Sequence, residues 1–116
     1  MNWITLSDEA QIEEIKNSEG YTIIYKHSPR CIVSMMAHRR LKSELPGFSF
    51  PDTPLYIVDV VKNRNESLAI ASEFAVHHES PQLLLLKNGQ AIYHASHEEV
   101  GFDPIMNLMA KTSQEA

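Results

Sequence analysis

The sequence predicts an α/β protein, with a mixed four-stranded sheet covered by helices on both faces and preceded by one N-terminal helix. Two apolar runs rich in β-forming residues, at 21–27 and 55–61, are separated by a helical pattern. This predicts two parallel strands joined by a right-handed crossover. A third apolar run at 82–86 is followed by an Asn-Gly pair and an alternating run at 90–96, which predicts an antiparallel hairpin.

Helical patterns complete the order β-α-β-α-β-β-α after the N-terminal helix. The predicted helices are 8–16, 31–45, 66–76 and 104–111. Ser7 and Asn65 are the expected N-caps of the first and third helices, because their side chains can accept hydrogen bonds from the first helical N–H groups. Pro46 and Gly47 end the second helix, since neither residue continues a helix well.

Apolar residues recur at helical spacing in the second predicted helix, and we expect them to face the core. They are Ile32, Met35, Met36, Leu41 and Leu45. The two methionines would also line part of a groove. Trp3, which lies before the first helix, is expected to serve packing.

Composition predicts one globular domain over residues 1–116, with 43% apolar and 22% charged residues. A single cysteine excludes an internal disulfide, and the first residues lack the pattern of a signal peptide. The longest apolar run is only Leu83–Leu86, so we expect no membrane partner and a cytoplasmic location. A net charge of −5 argues against nucleic-acid binding.

Positive charge is concentrated around the single cysteine, Cys31. Residues 21–43 contain no Asp or Glu, although they hold five of the ten Lys and Arg residues of the chain. These cations are Lys26, Arg30, Arg39, Arg40 and Lys42, accompanied by His27 and His38. One interpretation is a solvated basic helix face. The other is a local positive field that favours a thiolate and attracts anionic substrates.

Cys31 lies where the first strand gives way to a helix, at the carboxyl edge of the sheet, where open α/β folds place their sites. Helix N–H groups and the helix dipole stabilise an anion there, and Arg30 and His27 would add to the field. Ser34 is three residues on, so its hydroxyl can donate a hydrogen bond to the sulfur. The alternative is a buried, inert cysteine.

Three segments carry a family resemblance: KHSPRCIVSMMA at 26–37, LYIVDVV at 55–61 and FAVHHESPQLLLLKNGQAIYHASH at 74–97. Together they resemble the YtxJ family of monothiol bacilliredoxin-like proteins, which have a thioredoxin-like fold. The chain departs from the typical Thr-Cys-Pro-Ile-Ser of that family, since it has Arg-Cys-Ile-Val-Ser at 30–34.

The resemblance implies that Cys31 is the catalytic nucleophile and that Pro81 follows a cis peptide bond facing it. The residues alone predict a trans Ser80-Pro81 bond, because cis is uncommon even before proline. The resemblance further implies that the Ser80 backbone pairs with an incoming peptide or thiol. With Arg30, Ser34 and His27, these residues form the predicted substrate-binding set.

The resemblance also implies an enzyme that removes bacillithiol, a low-molecular-weight thiol carrying a malate group, from S-thiolated client proteins. The small thiol is the expected co-substrate, and no other cofactor is expected. Because the chain has one cysteine, the intermediate must be an intermolecular mixed disulfide. Two alternatives stay open. One is an iron–sulfur dimer, although the Cys-Gly-Phe-Ser of such proteins is lacking, and the other is a non-catalytic interaction domain.

Metal binding is not predicted. His94 and His97 are three apart on a predicted strand, so they should point to opposite faces. His77 and His78 are expected to be polar loop residues, one of which can line the site near Pro81.

Overall fold

The protein forms a five-stranded mixed sheet with helices on both faces. The computed structural model describes residues 3–115, and the side chains of residues 3–111. The strands are β1 (Trp3–Thr5), β2 (Tyr21–His27), β3 (Leu55–Asp59), β4 (Gln82–Lys87) and β5 (Gln90–Ser96). The helices are α1 (Glu9–Lys16), α2 (Ile32–Glu44), α3 (Arg64–Phe74) and α4 (Asp103–Glu115), with 3₁₀ turns at Leu45–Gly47 and His97–Glu99.

The strands lie in the order β1-β3-β2-β4-β5. The predicted parallel pair, β2 with β3, and the predicted antiparallel hairpin, β4 with β5, are both confirmed. Asn88 and Gly89 have positive φ angles of 51° and 76°, as a two-residue hairpin turn requires. At the centre of the sheet, Ile24 of β2 lies between Tyr56 of β3 and Leu84 of β4.

The predicted count of four strands is wrong, because β1 adds a fifth at the edge of the sheet. Its three residues pair in parallel with Leu55–Ile57 of β3. So short a strand shows no hydrophobic period, and it forms only because β3 is available as a partner. The expected packing role of Trp3 is confirmed, since its ring lies 5.5 Å from that of Tyr25 and 6.2 Å from that of Phe102.

Several element ends differ from the prediction, two of them because a carboxylate accepts hydrogen bonds from nearby backbone N–H groups. The N-cap of α1 is Asp8 rather than Ser7, and its carboxylate accepts a 2.8 Å hydrogen bond from the Ala10 N–H. The α3 helix begins two residues earlier than predicted, with Asn63 rather than Asn65 at its N-cap. The β3 strand ends at Asp59, whose carboxylate accepts the N–H groups of the next turn and bends the chain.

Two buried clusters lie on opposite faces of the sheet. On one face, Ile23 and Tyr25 of β2 pack in a cluster with residues of α2 and α4. On the other face, Ile24 packs in a cluster with residues of α1 and α3. Because side chains alternate along a strand, Lys26 shares the face of Ile24 and His27 shares the face of Tyr25.

The face that α2 presents to the core matches the prediction only in part, since Leu41 is buried and Leu45 packs against the core as expected. Its buried residues are Ser34, Ala37 and Leu41. Ile32, Met35 and Met36 were expected in the core, yet they are 72%, 51% and 61% exposed. Small residues allow the helix to lie close to the sheet, so the larger apolar side chains are left on its outer surface. Within residues 3–115, no helix has the length and apolar character needed to cross a membrane.

Candidate active site

Cys31 is the N-cap residue of α2. After β2 ends, the chain turns back, and the Cys31 N–H donates a 3.3 Å hydrogen bond to the Ser28 carbonyl. The Cys31 carbonyl accepts the first helical hydrogen bond, from the Met35 N–H at 2.9 Å. The thiol is partly exposed and free. It therefore lies at the open N-terminus of the helix and is accessible to another molecule.

Backbone N–H groups lower the pKa of the Cys31 thiol. The Ser34 N–H contributes most and the Val33 N–H comes next, while partial burial opposes them and the Ser34 hydroxyl adds a smaller contribution. Donors directed at the sulfur favour its charged form, so the fraction of thiolate rises at neutral pH. The Arg30 side chain is exposed and is not among the groups that lower this pKa.

The Ser34 hydroxyl connects the cysteine turn with the loop before β4. Ser34 is fully buried, and its Oγ accepts a 3.3 Å hydrogen bond from the Ser28 N–H. The same Oγ lies 3.4 Å from the Ser80 Oγ. The Ser80-Pro81 peptide bond is cis, so the trans bond expected from the residues alone is wrong and the geometry is the one that the resemblance implied. Ser34 therefore brings the C-x-x-S motif against the Ser80-Pro81 turn.

His27 and His38 stack on each other next to the turn that carries Cys31, with ring centroids 4.6 Å apart. The Tyr25 hydroxyl lies 3.1 Å from the His27 Nδ1. Burial lowers the pKa of His27, and the neighbouring His38 lowers it further, against the opposing effect of Asp59. A lowered pKa favours the neutral imidazole at neutral pH. His27 thus lies near the site in surroundings that disfavour the positive charge expected of it.

A buried lysine on the opposite face of the sheet was not predicted as part of the site. Lys26 is fully buried, and its Nζ lies 3.0 Å from the Nδ1 of His78. Burial lowers the pKa of Lys26 to about 8. Because His78 lies just before Ser80, this contact ties β2 to the loop that carries the cis bond. The signal in the sequence was a lysine inside an otherwise apolar strand, which needs a polar partner when buried.

A family model described as monothiol bacilliredoxin BrxC matches residues 4–105. The chain belongs to the monothiol bacilliredoxin family. The matched range contains Cys31, Ser34 and the Ser80-Pro81 turn. The family predicted from the sequence is therefore confirmed.

Solved structures place this bacilliredoxin among thioredoxin folds. A proposed oxidoreductase with a thioredoxin fold is 27% identical, with a TM-score of 0.72, and the match covers 96% of this chain and 90% of that one. Thioredoxin from Trypanosoma brucei brucei is 15% identical, with a TM-score of 0.69 and coverage of 99% and 93%. Thioredoxin from Malassezia sympodialis is 22% identical, with a TM-score of 0.67 and coverage of 99% and 92%.

The last two likenesses show the fold alone, which confirms the predicted thioredoxin-like class. The family and the fold together support a thiol oxidoreductase role for this bacilliredoxin.

The histidines after β4 do not lie as predicted. His97 lies beyond the end of β5, in a turn with a φ of 57°, so strand alternation does not separate it from His94. Both line one shallow surface cavity of the bacilliredoxin, together with Glu79 and the 3₁₀ turn. Among the described residues, no group of three or more His, Cys, Asp or Glu side chains is arranged to hold a metal ion.

Proposed function

We propose that this protein is a monothiol thiol–disulfide oxidoreductase that removes a small thiol, bacillithiol, from S-thiolated proteins through a mixed disulfide at Cys31. The observation that carries the proposal is a single accessible thiol, held at a helix N-terminus by backbone donors that lower its pKa. A thiolate is the form that attacks a disulfide, so this environment supports exchange at neutral pH.

The reaction needs one thiolate and no external oxidant. The Cys31 thiolate attacks the small-thiol sulfur of a client disulfide and forms a new S–S bond, while the old S–S bond breaks. The client sulfur leaves with the electron pair and takes a proton. A second small-thiol thiolate then attacks the small-thiol sulfur of the adduct, which releases a symmetric small disulfide and restores the Cys31 thiolate. The chain has no second cysteine that could resolve the adduct internally.

We assign the neighbouring residues to binding. Ser34 stabilises the thiolate through its N–H and hydroxyl, as its effect on the pKa of Cys31 supports. The backbone of Ser80, beside Pro81, pairs with the incoming peptide or thiol. Arg30, which is exposed next to Cys31, attracts an anionic thiol. His27 acts as a neutral hydrogen-bonding group rather than as a cation, because burial lowers its pKa.

The protein surface around the thiol supports a protein client. Ile32, Met35 and Met36 are exposed on the first two turns of α2. Methionine side chains are flexible and polarisable, so they adapt to differently shaped partners. We assign this apolar surface to client docking. The small thiol is the co-substrate, no metal or bound cofactor takes part, and the reaction suits a reducing compartment such as the cytoplasm, where free thiols persist.

Intact mass spectrometry tests the proposal. Wild-type protein is incubated with an S-bacillithiolated client, and both proteins are weighed over time. We expect the client to lose the mass of bacillithiol while Cys31 gains it, and Cys31→Ser to remain unmodified. An unmodified wild type, or equal client reduction by Cys31→Ser, would contradict the proposal.

A further inference from the structure

A cavity of about 400 Å³ opens beside α2, next to the turn that carries Cys31. It is lined by His27, Pro29, Met35, His38, Arg39 and Lys42. Residues at spacings of three and four lie on one face of a helix. The four α2 residues of this lining have that spacing, and Cys31 is four residues before the first of them. The cavity and the thiol therefore share one side of α2.

The lining of this cavity is basic and contains no carboxylate. Arg39 and Lys42 are exposed, and among the described side chains neither forms a salt bridge. By contrast, Arg40 is committed elsewhere, since its Nε donates a 2.8 Å hydrogen bond to the Val100 carbonyl. His27 and His38 add imidazole groups that can donate hydrogen bonds. Two free cations beside polar donors form a surface suited to an anion.

A second cavity of similar size provides a comparison. It measures about 390 Å³ and shares His27 with the first, but its lining includes Asp59 as well as Lys62. The carboxylate of Asp59 repels an anion and offsets the neighbouring lysine. Of these two cavities, only the one along α2 combines unpaired cations with a position on the same side of the helix as Cys31.

We propose that the cavity along α2 binds the carboxylate end of the small thiol whose sulfur joins Cys31. A helix rises 1.5 Å per residue, so Arg39 lies about 12 Å and Lys42 about 16 Å along the axis from Cys31. Because long side chains on a helix point back towards its N-terminus, the substrate class is a low-molecular-weight thiol with carboxylates roughly 10 Å or more from its sulfur. Arg39 can hold a carboxylate with two parallel hydrogen bonds, and Lys42 adds a point charge. This inference rests on the proposed function.

Kinetics with two matched disulfides test the inference. One peptide is prepared with bacillithiol on its cysteine, and also with neutral 2-mercaptoethanol. We expect Arg39→Gln/Lys42→Gln to lower kcat/KM for the bacillithiol adduct by about 10- to 100-fold, because two charged hydrogen bonds are lost. The same variant should change the neutral substrate by less than about twofold. Lys62→Gln, in the second cavity, is the control and should affect neither substrate.

Equal losses on the two substrates, or no loss on either, would overturn the inference. A wild type that reacts with neither would overturn the proposed function instead.

Binding is tested separately, by titrating S-methylglutathione, which cannot form a disulfide, into the wild-type protein while backbone amide shifts are recorded. We expect the shifts to concentrate at residues 35–42 and to disappear in the double variant, whereas shifts confined to other regions would contradict the cavity assignment.

Discussion

Cys31 and Lys26 lie five residues apart, and both have a lowered pKa, but the two shifts have opposite consequences for charge. The Cys31 pKa falls because N–H groups stabilise its charged form. The Lys26 pKa falls because burial destabilises its charged form. The first effect favours a negative charge, whereas the second disfavours a positive one. The direction of a pKa shift therefore has meaning only together with its cause.

The two groups also lie on different sides of the sheet. Cys31 follows the strand that sends Tyr25 and His27 towards α2, and its sulfur reaches solvent. Lys26 points to the opposite face, where its described partner is the ring of His78. The negative charge on exposed Cys31 favours reaction with a disulfide, whereas the positive charge on buried Lys26 lowers the stability of the fold.

The largest expected effect is that of Lys26→Met on the free energy of unfolding, which tests the cost of the buried charge. Above pH 8 the unfolded lysine, with its ordinary pKa of 10.5, binds more protons than the folded one, with a pKa of about 8. The free energy of unfolding of the wild type should therefore rise from pH 8 to pH 10, by about 2 kcal/mol from this residue. Denaturant unfolding at several pH values measures it. Lys26→Met should lack the rise and be more stable at pH 7 by roughly 1–3 kcal/mol.

Other titrating groups set the design of this measurement. The lowered pKa of Cys31 also makes the protein more stable as pH rises, so both proteins should carry Cys31→Ser. Burial raises the pKa of Tyr25, Tyr56 and Tyr93, which lowers stability around and above pH 10 and limits the useful window. A stability that does not change from pH 8 to pH 10 in the Cys31→Ser background would contradict the assigned cost of Lys26.

Two proline substitutions test whether backbone N–H groups lower the pKa of Cys31. Val33→Pro removes an N–H that donates to the Cys31 sulfur, whereas Ile32→Pro removes an N–H that does not. Both positions lie in the first turn of α2, where proline is tolerated. We expect Val33→Pro to slow iodoacetamide alkylation at pH 7 by about tenfold, because a hydrogen bond to a charged group is lost. Ile32→Pro should react like the wild type, and equal rates for the two variants would show that backbone donors do not activate the thiol.

The smallest expected effect concerns the apolar surface next to the thiol. Met36→Gln should lower kcat/KM for an S-thiolated protein client by about two- to fivefold, since an exposed apolar contact is worth of order 1 kcal/mol or less. The rate with a small disulfide should not change. Ile92→Gln, a similarly exposed residue on β5, serves as the control. A loss of the same size for Ile92→Gln would mean that the client does not dock beside Cys31.

Local patterns predicted most of the fold. The structures of β2 and of the Asn-Gly turn between β4 and β5 depend on residues that are adjacent in sequence. Both were therefore predicted correctly. The β1 strand was not predicted, because its pairing depends on β3, which lies some fifty residues away. The outward-facing methionines of α2 were misplaced, since helical spacing does not say which apolar residues a sheet will cover.

The candidate site was predicted less completely than the fold. Cys31 and Ser34 were predicted as site residues because a cysteine at a strand-to-helix junction suggests thiol chemistry, and the structure places both at the start of α2. The contact between Lys26 and His78 joins residues 52 positions apart, and no spacing rule connects them. The cis bond before Pro81 likewise depends on the surrounding fold, so the residues alone favoured the wrong isomer.

The placement of Ser34 allows the hydrogen bonds between Cys31, Ser34 and Ser80 to run in either direction. Its oxygen already accepts the Ser28 N–H, and its single proton can point to the Cys31 sulfur or to the Ser80 oxygen. When the sulfur is a thiolate, the proton points to it and the Ser80 hydroxyl donates in turn. When the sulfur is joined to another molecule, its charge is gone and the chain of hydroxyls can reverse. The direction of these hydrogen bonds can thus follow the charge of the Cys31 sulfur as far as the loop that carries the cis bond.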